Sequence, residues 1–272
     1  MKEVVSLKKR IIRLTLKIIA ALLALLTSYL ALLCFPAPLF HASVSITNLT
    51  LYSDLPFSPE EGRKILEMVE AKLATSPFHT LQAHHSVFIC NARWRQVLFF
   101  NFKYGVGGVN YYPLTSNVFL SGARVEENQL VSPSGHIVEG DRTLDYFITH
   151  ESAHTITKKA AGWYHHFRLP EYVTEGYADY VAKGAAFDYE KAKQAFVNEA
   201  PEMDRWRSGL YLRYHLLVAY LLDKRGWSAQ GLLDHPMEQG AVEEAIREEP
   251  ITYLNVWTGE SRDEQASGPG TS

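Results

Sequence analysis

The sequence predicts an α+β fold behind an N-terminal transmembrane helix, with a small mixed or antiparallel sheet in the first half and helices in the second. Three observations support this class. An uncharged run fills residues 18–40, short strand-like runs separated by turns follow, and helical periodicity begins at Thr143. The 272 residues, 47% of them hydrophobic, are enough to build one sizeable domain.

The N-terminal run has the length and polarity of a membrane anchor. Its strongly apolar part, residues 18–35, can cross a hydrocarbon core at about 1.5 Å per residue. Residues 1–17 carry a net charge of +5 and are expected to stay in the cytoplasm. The sequence therefore predicts a cytoplasmic basic tip at 1–17, an anchor at 18–35 and an extracytoplasmic body.

Two other interpretations of the apolar run remain open. A cleaved signal peptide usually has a shorter apolar run and a small-x-small cleavage site, which Phe40-His41-Ala42 does not supply. A lipoprotein would be lipidated at Cys34, but Leu33 stands where a small residue is expected. A retained anchor is preferred.

The charge of the body excludes one class of partner. The whole chain has a net charge of −3, so the residues beyond the basic tip carry −8. Nucleic-acid binding requires a basic face, and we expect none. Of the two cysteines, Cys90 follows the apolar run Val87-Phe88-Ile89 and is typical of a buried strand residue.

The first half predicts a linker, one helix and several strands. Residues 36–48, with two prolines, are typical of a juxtamembrane linker, and the main domain is expected at 49–257. Ser58-Pro59 followed by two acids predicts a helix over about 59–75. The predicted strands cover residues 86–90, 97–102 and 117–120, with the glycine run 105–108 as a turn.

The second half predicts five helices and a disordered tail. The tail is residues 258–272, which are polar and contain Gly, Ser and Pro. The predicted helices cover about 142–160, 171–184, 188–198, 206–225 and 240–248.

A metal-binding pattern lies on the first of these helices. In His150-Glu151-Ser152-Ala153-His154, the two histidines are four residues apart and share one helix face. Two imidazoles so placed can both reach one Zn²⁺ at about 2 Å. Glu151 flanks that face and can reach a water bound to the metal, which is the position of a general base.

A third ligand and a supporting carboxylate follow in Pro170-Glu171-Tyr172-Val173-Thr174-Glu175-Gly176-Tyr177-Ala178-Asp179. Glu175 lies 21 residues beyond His154, enough for the chain to turn and return as a second helix. Asp179 shares its face and is the expected hydrogen-bond partner of a metal-bound histidine, His150. Gly176 would let the two metal-site helices approach closely. Glu171 is the alternative third ligand.

These two segments resemble the gluzincin zinc peptidases, the thermolysin- and aminopeptidase-like group, and in particular bacterial peptidase MA-like domains. Those domains combine HExxH with a Pro-x-Trp-x-x-Glu-Gly-x-Ala-x-Tyr segment, and here Tyr172 replaces the Trp. The resemblance covers about residues 143–183 and, more loosely, 208–226. It implies a zincin-like fold, one Zn²⁺ held by His150, His154 and Glu175, Glu151 as base, and Asp179 behind the ligands.

Several residues are candidates for stabilising the oxyanion or lining the cleft. The segment 208–215 supplies Tyr211, Tyr214 and His215, and Tyr177, His165 and His166 are weaker candidates. All of these could equally be core or exposed residues. Substrate is expected to pair with the edge of a strand, and residues 117–120 are the predicted strand.

The function predicted from these features is zinc-dependent hydrolysis of peptide bonds by a metal-activated water, with a peptide or protein as substrate. The expected location is a bacterial inner (cell) membrane, crossed once, with the catalytic domain on the periplasmic side. Two alternatives remain open. One is a membrane-anchored scaffold with a structural zinc site, and the other is a metal hydrolase that acts on non-peptide cell-wall amides.

Overall fold

The structure, a computed structural model, describes residues 2–81, 84–101, 105–204 and 211–250. It is a mixed α/β fold behind one long apolar helix. Helix α1 spans Lys2–Cys34, and its segment Arg10–Cys34 is long and apolar enough to cross a membrane. The seven strands are β1 Ala42–Ser45, β2 Leu49–Ser53, β3 His85–Ile89, β4 Gly108–Asn110, β5 Val118–Leu120, β6 Gly122–Arg124 and β7 Gln129–Val131.

Nine more helices accompany the strands in the described ranges. Ser58 caps the first of them by accepting a hydrogen bond from the backbone of Glu61, as its sequence predicts. The helices are α2 Pro59–Leu73, α3 Arg93–Phe100, α4 Leu144–Ala161, α5 Trp163–His166, α6 Glu171–Lys183, α7 Tyr189–Val197, α8 Leu212–Ala219, α9 Ala229–Asp234 and α10 Gln239–Glu248.

The main sheet has five strands in the order β1-β2-β3-β5-β4. The pairs β2-β3 and β3-β5 are parallel, whereas β1 and β4 pair antiparallel at the two edges. The sheet is therefore mixed. A separate hairpin joins β6 to β7.

Side chains alternate between two cores on the two faces of this sheet. Along β3, Val87 and Ile89 enter the larger core with α2, α4 and the later helices, whereas Phe88 and Cys90 enter an aromatic core on the opposite face. Phe119 of β5 enters the same aromatic core. The alternation follows the two-residue period of a strand. Both faces of the sheet therefore carry apolar side chains, and both are covered by other elements.

Two predictions for the first half are wrong. Residues 97–100 belong to helix α3, because the segment packs one face on the aromatic core and ends at Asn101, which has a left-handed backbone. The predicted linker 36–48 is part of the fold, since it contributes edge strand β1 and buries Phe40. The predicted strands near 86–90 and 117–120 are confirmed as β3 and β5.

In the second half, helices α4, α6, α7 and α10 confirm the predicted positions within a few residues. The predicted helix 206–225 corresponds to α8, which continues into a π-helical turn at Tyr220–Lys224. Residues 206–210 and the predicted tail 258–272 lie outside the described residues. Helix α4 is central, because it packs against α2, α6 and the β4–β5 edge of the sheet.

Candidate metal centre

Two helices bring three ligand atoms to one point. His150 and His154 stand one turn apart on α4, and their Nε2 atoms are 3.2 Å apart. Glu175 on α6 places its Oε2 3.4 Å from His150 Nε2 and 3.3 Å from His154 Nε2. Among the described residues this is the group of three or more His, Cys, Asp or Glu side chains that could hold a metal ion.

The three distances fit a tetrahedral zinc site. With metal–ligand distances of about 2.0–2.1 Å and tetrahedral angles, any two ligand atoms lie about 3.3–3.4 Å apart. The observed triangle has sides of 3.2, 3.3 and 3.4 Å. The two histidines are buried and Glu175 is only partly exposed, so the donors are preorganised rather than solvated surface groups.

The electrostatics of Glu175 favour its ionised form. Burial raises the pKa of its carboxyl, but the charges and hydrogen bonds of His154 and His150 outweigh burial and hold that pKa well below its usual range. A carboxylate that stays ionised is a competent metal ligand. Glu171, the alternative ligand, is exposed and lies near the hydroxyl of Tyr214, outside the group.

Glu151 lies between the metal group and strand β4. Its Oε2 accepts a hydrogen bond from Asn110 Nδ2 at 3.1 Å, and Asn110 Oδ1 in turn accepts one from Lys158 at 2.8 Å. A side chain at Gly108 would meet Glu151 Cγ at 2.7 Å and Oε1 at 2.9 Å. Only glycine therefore leaves room for the Glu151 carboxylate beside this strand.

An open cavity of about 580 Å³ surrounds these groups. Strand β4 and the loop before it form one wall, and α4 and α6 form the other. Its lining residues include Gly105, Val106, Gly107, Gly108, Val109, Asn110, Arg142, Tyr146, Phe147, His150, Glu151, His154, Lys158, His166, Thr174, Glu175 and Tyr211.

Asp179 does not have the partner expected for it. Its carboxylate accepts hydrogen bonds from the hydroxyl of Tyr146 and from Nδ1 of His215, the latter at 2.8 Å, and lies 3.3 Å from Lys183 Nζ. His150 Nδ1 is buried and has no hydrogen-bond partner among the described residues. The prediction that Asp179 supports His150 directly is therefore wrong, because α8 inserts His215 where that contact was expected.

The residues proposed for the oxyanion separate into two groups. Tyr211 lines the cavity, with its ring stacked 5.8 Å from that of His150. Tyr214 lies near Glu171, 3.5 Å away, and His215 is fully buried against Asp179 and Phe187, so neither lines the cavity. For these two residues the prediction is wrong, because their positions on α8 turn them away from the ligands.

Three further residues have distinct positions. His166 lines the cavity, and burial lowers its pKa to about 4, with the charges of Lys158 and His154 acting in the same direction. His165 Nε2 lies 2.9 Å from the backbone oxygen of Leu233, and the Tyr177 hydroxyl is buried 2.8 Å from Ser76 Oγ. His165 and Tyr177 are outside the cavity lining.

The contribution of strand β4 to the site is absent from the predictions made from the sequence. The glycine run 105–108 was predicted as a turn, but Gly108 begins the edge strand, and the next polar residue, Asn110, holds Glu151. The expected edge, residues 117–120, is strand β5, which lies inside the sheet between β3 and β4. A glycine beside a short apolar-polar run was the available signal of a close approach.

The helix contact that Gly176 permits also differs from the predicted one. A side chain there would collide with the backbone carbonyl of Tyr214 and meet Val218 Cγ2 at 2.9 Å. The glycine therefore permits close packing of α6 on α8, rather than of α6 on α4.

No protein-family model, curated protein or solved structure matches this chain.

Proposed function

We propose that the chain is a zinc-dependent peptidase of the gluzincin type, with a zincin-like fold and one Zn²⁺ held by His150, His154 and Glu175. The observation that carries the proposal is the triangle of three ligand atoms with sides of 3.2–3.4 Å in an open cavity, with Glu151 beside it. Two histidines and one glutamate are the donor set of a class of catalytic zinc sites.

A zinc ion held by His150, His154 and Glu175 would polarise a carbonyl oxygen and would lower the pKa of a water molecule to near 7. Glu151 takes a proton from the attacking water and passes it to the leaving nitrogen as the peptide bond breaks. Asn110 holds the Glu151 carboxylate through a hydrogen bond to its Oε2. Lys158 holds Asn110 in turn.

Strand β4 supplies a binding edge for an extended peptide. The backbone N–H of Ser121 donates to the oxygen of Gly107, which makes residues 107 and 121 a hydrogen-bonded pair of the antiparallel ladder. By alternation, the N–H and C=O groups of Gly108 and Asn110 point away from β5. A substrate backbone can add to this edge as a further strand, beside Glu151.

The remaining candidate for oxyanion stabilisation is Tyr211. Its ring lies against His150 in the cavity wall, and its hydroxyl would donate a hydrogen bond to the oxyanion.

The scaffold alternative is less well supported. A structural zinc site is closed by four protein ligands, whereas the described residues provide three, and these face an open cavity. A structural zinc site also has no need of a general base such as Glu151.

The alternative of cell-wall amides is also less well supported. The exposed main-chain edge of β4 favours peptides as substrates, because such an edge pairs with a continuous polypeptide backbone.

We also propose that α1 is retained as an anchor, with the basic tip in the cytoplasm and the cavity on the outer, periplasmic side. Leu33 near the end of α1 is buried in the aromatic core, so cleavage before the domain would remove part of its packing.

The test uses the full-length protein purified in detergent. We expect about one zinc per chain by plasma mass spectrometry and hydrolysis within a peptide library. Glu151→Gln keeps the zinc and loses at least about 100-fold in kcat, the usual contribution of a general base. His154→Ala loses the zinc. Glu171→Gln, an exposed carboxylate one turn before the third ligand, is the matched control and retains both properties.

Absence of zinc from the wild-type protein, or full activity in Glu151→Gln, contradicts the proposal. Zinc that resists exchange in a protein with no hydrolytic activity supports the scaffold instead.

A further inference from the structure

The end of helix α1 is built into the domain. Leu33 is 2% exposed and packs in the aromatic core. The side chain of Asn117 donates hydrogen bonds to the backbone oxygens of Leu33 at 2.8 Å and Cys34 at 3.2 Å. Tyr29 donates to the backbone oxygen of Leu98 on α3 at 3.1 Å. These contacts hold the domain at a defined height and orientation relative to the helix.

The length of α1 places these contacts at the bilayer surface. The span Arg10–Cys34 has 25 residues, or about 37 Å of helix, whereas the hydrocarbon core is about 30 Å thick. Its last six residues, from Tyr29, include those that pack on the domain, and the basic side chains near its start can extend toward the inner surface. The part of the span before Tyr29 is about 28 Å long, so Tyr29 and its contact Leu98 lie at the outer boundary.

One end of the cavity is close to these contacts. Asn110, which holds Glu151, is followed directly by Tyr111 at the end of β4. Tyr111 donates a hydrogen bond to the backbone oxygen of Phe99 at 2.6 Å, and its hydroxyl neighbours that of Tyr29. A single step along the strand thus separates the residue that orients Glu151 from a residue in contact with the membrane helix.

Exposed aromatic side chains flank the same end of the cavity. Lys158, near the end of α4, reaches Asn110, and helix α5 follows α4 directly. Around α5, Trp163 is 58%, Tyr164 64% and Phe167 87% exposed. Exposed aromatic groups of this kind are typical of a surface that contacts the membrane interface.

From this placement we propose that the cavity acts on polypeptides anchored in the same membrane, at peptide bonds close to the bilayer surface. The inference rests on the proposed peptidase function. The α5 aromatic patch, defined as Trp163, Tyr164 and Phe167, contacts lipid and keeps the Asn110 end of β4 facing the bilayer. A chain that leaves the membrane can then extend along β4 at about 3.3 Å per residue and reach Glu151 within its first several residues.

The test compares three substrates that contain one cleavable sequence, chosen from library hits, with the full-length protein in proteoliposomes. The first is a soluble peptide, and the other two are fused to a transmembrane helix through Gly/Ser spacers of about 5 or about 40 residues. Both fusions share the concentrating effect of the membrane, so their ratio reports the height of the bond. We expect the short-spacer fusion to be cleaved at least about 10-fold faster than the long-spacer fusion.

Equal rates for the two fusions overturn this inference and leave the peptidase proposal intact. Absence of any cleaved peptide in the library, from which the common sequence is chosen, contradicts the peptidase proposal itself.

A pair of variants tests the lipid contact separately. Phe167→Glu is expected to slow cleavage of the short-spacer fusion at least about fivefold and to leave hydrolysis of the soluble peptide unchanged, because a charge is costly at the bilayer boundary. Leu55→Glu is the control, since Leu55 is an exposed residue that follows β2 at the carboxyl end of the parallel strands, away from the end where Asn117 contacts α1. An unchanged short-spacer rate in Phe167→Glu contradicts the lipid contact.

A fluorescence measurement needs no activity. Nitroxide groups attached to lipids are expected to quench part of the tryptophan fluorescence of the wild-type protein. This quenched part should be lost in Trp163→Phe and retained in Trp227→Phe. Equal quenching in wild type and Trp163→Phe places Trp163 in water and overturns the proposed orientation.

Discussion

The carboxylate of Asp179 and Nδ1 of His215 form a 2.8 Å hydrogen bond in which both side chains are fully buried. This pair joins α6, which carries the third metal ligand, to α8, which begins directly after Tyr211. Lys183, one turn after Asp179 on α6, lies 3.3 Å from the same carboxylate. The hydrogen bonds and the positive charge of these neighbours hold the pKa of Asp179 well below its usual range, although burial alone would raise it. Asp179 thus links α6 to α8 through a buried hydrogen bond to its carboxylate, and it does not directly support a metal ligand.

The first prediction follows from this position. Asp179→Asn is expected to lower the free energy of unfolding by about 3–5 kcal/mol, because Lys183 and His215 lose a buried anionic partner. The zinc dissociation constant of the protein that remains folded should change by less than the 10–100-fold typical of a lost ligand support. The checks are denaturant unfolding in detergent and competition with a zinc chelator.

Asp141→Asn is the matched control for that variant. Asp141 contacts the same Lys183 Nζ at 3.4 Å but is 62% exposed, so its loss should alter stability by no more than about 0.5 kcal/mol. A large loss of zinc affinity in Asp179→Asn without loss of stability would contradict our assignment.

The second prediction concerns the contact between α6 and α8. Gly176→Ala places a methyl group against the Tyr214 carbonyl, which cannot move without shifting the α8 backbone. We expect a loss of about 1–3 kcal/mol in unfolding free energy, the usual cost of overpacking. Gly240→Ala, in helix α10 with open space around it, is the control and should be neutral or slightly stabilising. Similar stabilities for the two variants would argue against a close α6–α8 contact.

The third prediction concerns the space that Gly108 leaves for Glu151. Gly108→Ala is expected to displace the Glu151 carboxylate and lower kcat at least about 10-fold, since misplacement of a reacting group by about 1 Å can cost 100-fold. Zinc content should stay near one per chain. Gly122→Ala, in strand β6 with its nearest neighbours at 3.3 Å, is the control and should retain activity. Loss of zinc together with activity would instead indicate a collapsed site.

The fourth prediction is a pH dependence of stability that arises at His85. This side chain is 2% exposed, and both ring nitrogens are buried without a hydrogen-bond partner among the described residues. Burial lowers its pKa to about 4; the charges of His79, Lys159 and His84 act in the same direction and that of Glu70 opposes them.

The unfolded chain, with a His pKa of about 6.5, then binds the proton more tightly than the folded protein. Stability from neutral His85 is therefore complete above about pH 6.5 and is lost as the pH falls toward 4, by about 3 kcal/mol in total at 1.36 kcal/mol per pKa unit. His85→Leu should weaken the dependence of the unfolding free energy on pH between pH 6.5 and 4. The control is His84→Gln, at the exposed neighbouring residue, which should retain the wild-type slope of unfolding free energy against pH. An unchanged slope in His85→Leu would assign the pH dependence to other groups.

Much of the metal centre could be predicted from local sequence. The four-residue spacing of His150 and His154 determines that they share a helix face, because helical periodicity is a property of neighbouring residues. Pro170 and the run after it likewise predict α6 and the position of Glu175 along it. The position of Gly108 beside Glu151 could not be predicted in this way, since the two residues are 43 positions apart in the sequence and meet only through packing.

The sequence by itself determined the apolar length of α1, the alternating pattern of β3 and β5 and the helix that presents the two histidines. Each depends on hydrophobicity or on a spacing of two to four residues, which short-range geometry decides. The tertiary structure decided that residues 42–45 form an edge strand, that β4 rather than β5 is the other edge, and that Asp179 pairs with His215 instead of His150. These are choices among partners distant in the chain, and they depend on which surfaces bury each other and which polar groups are then left to be satisfied.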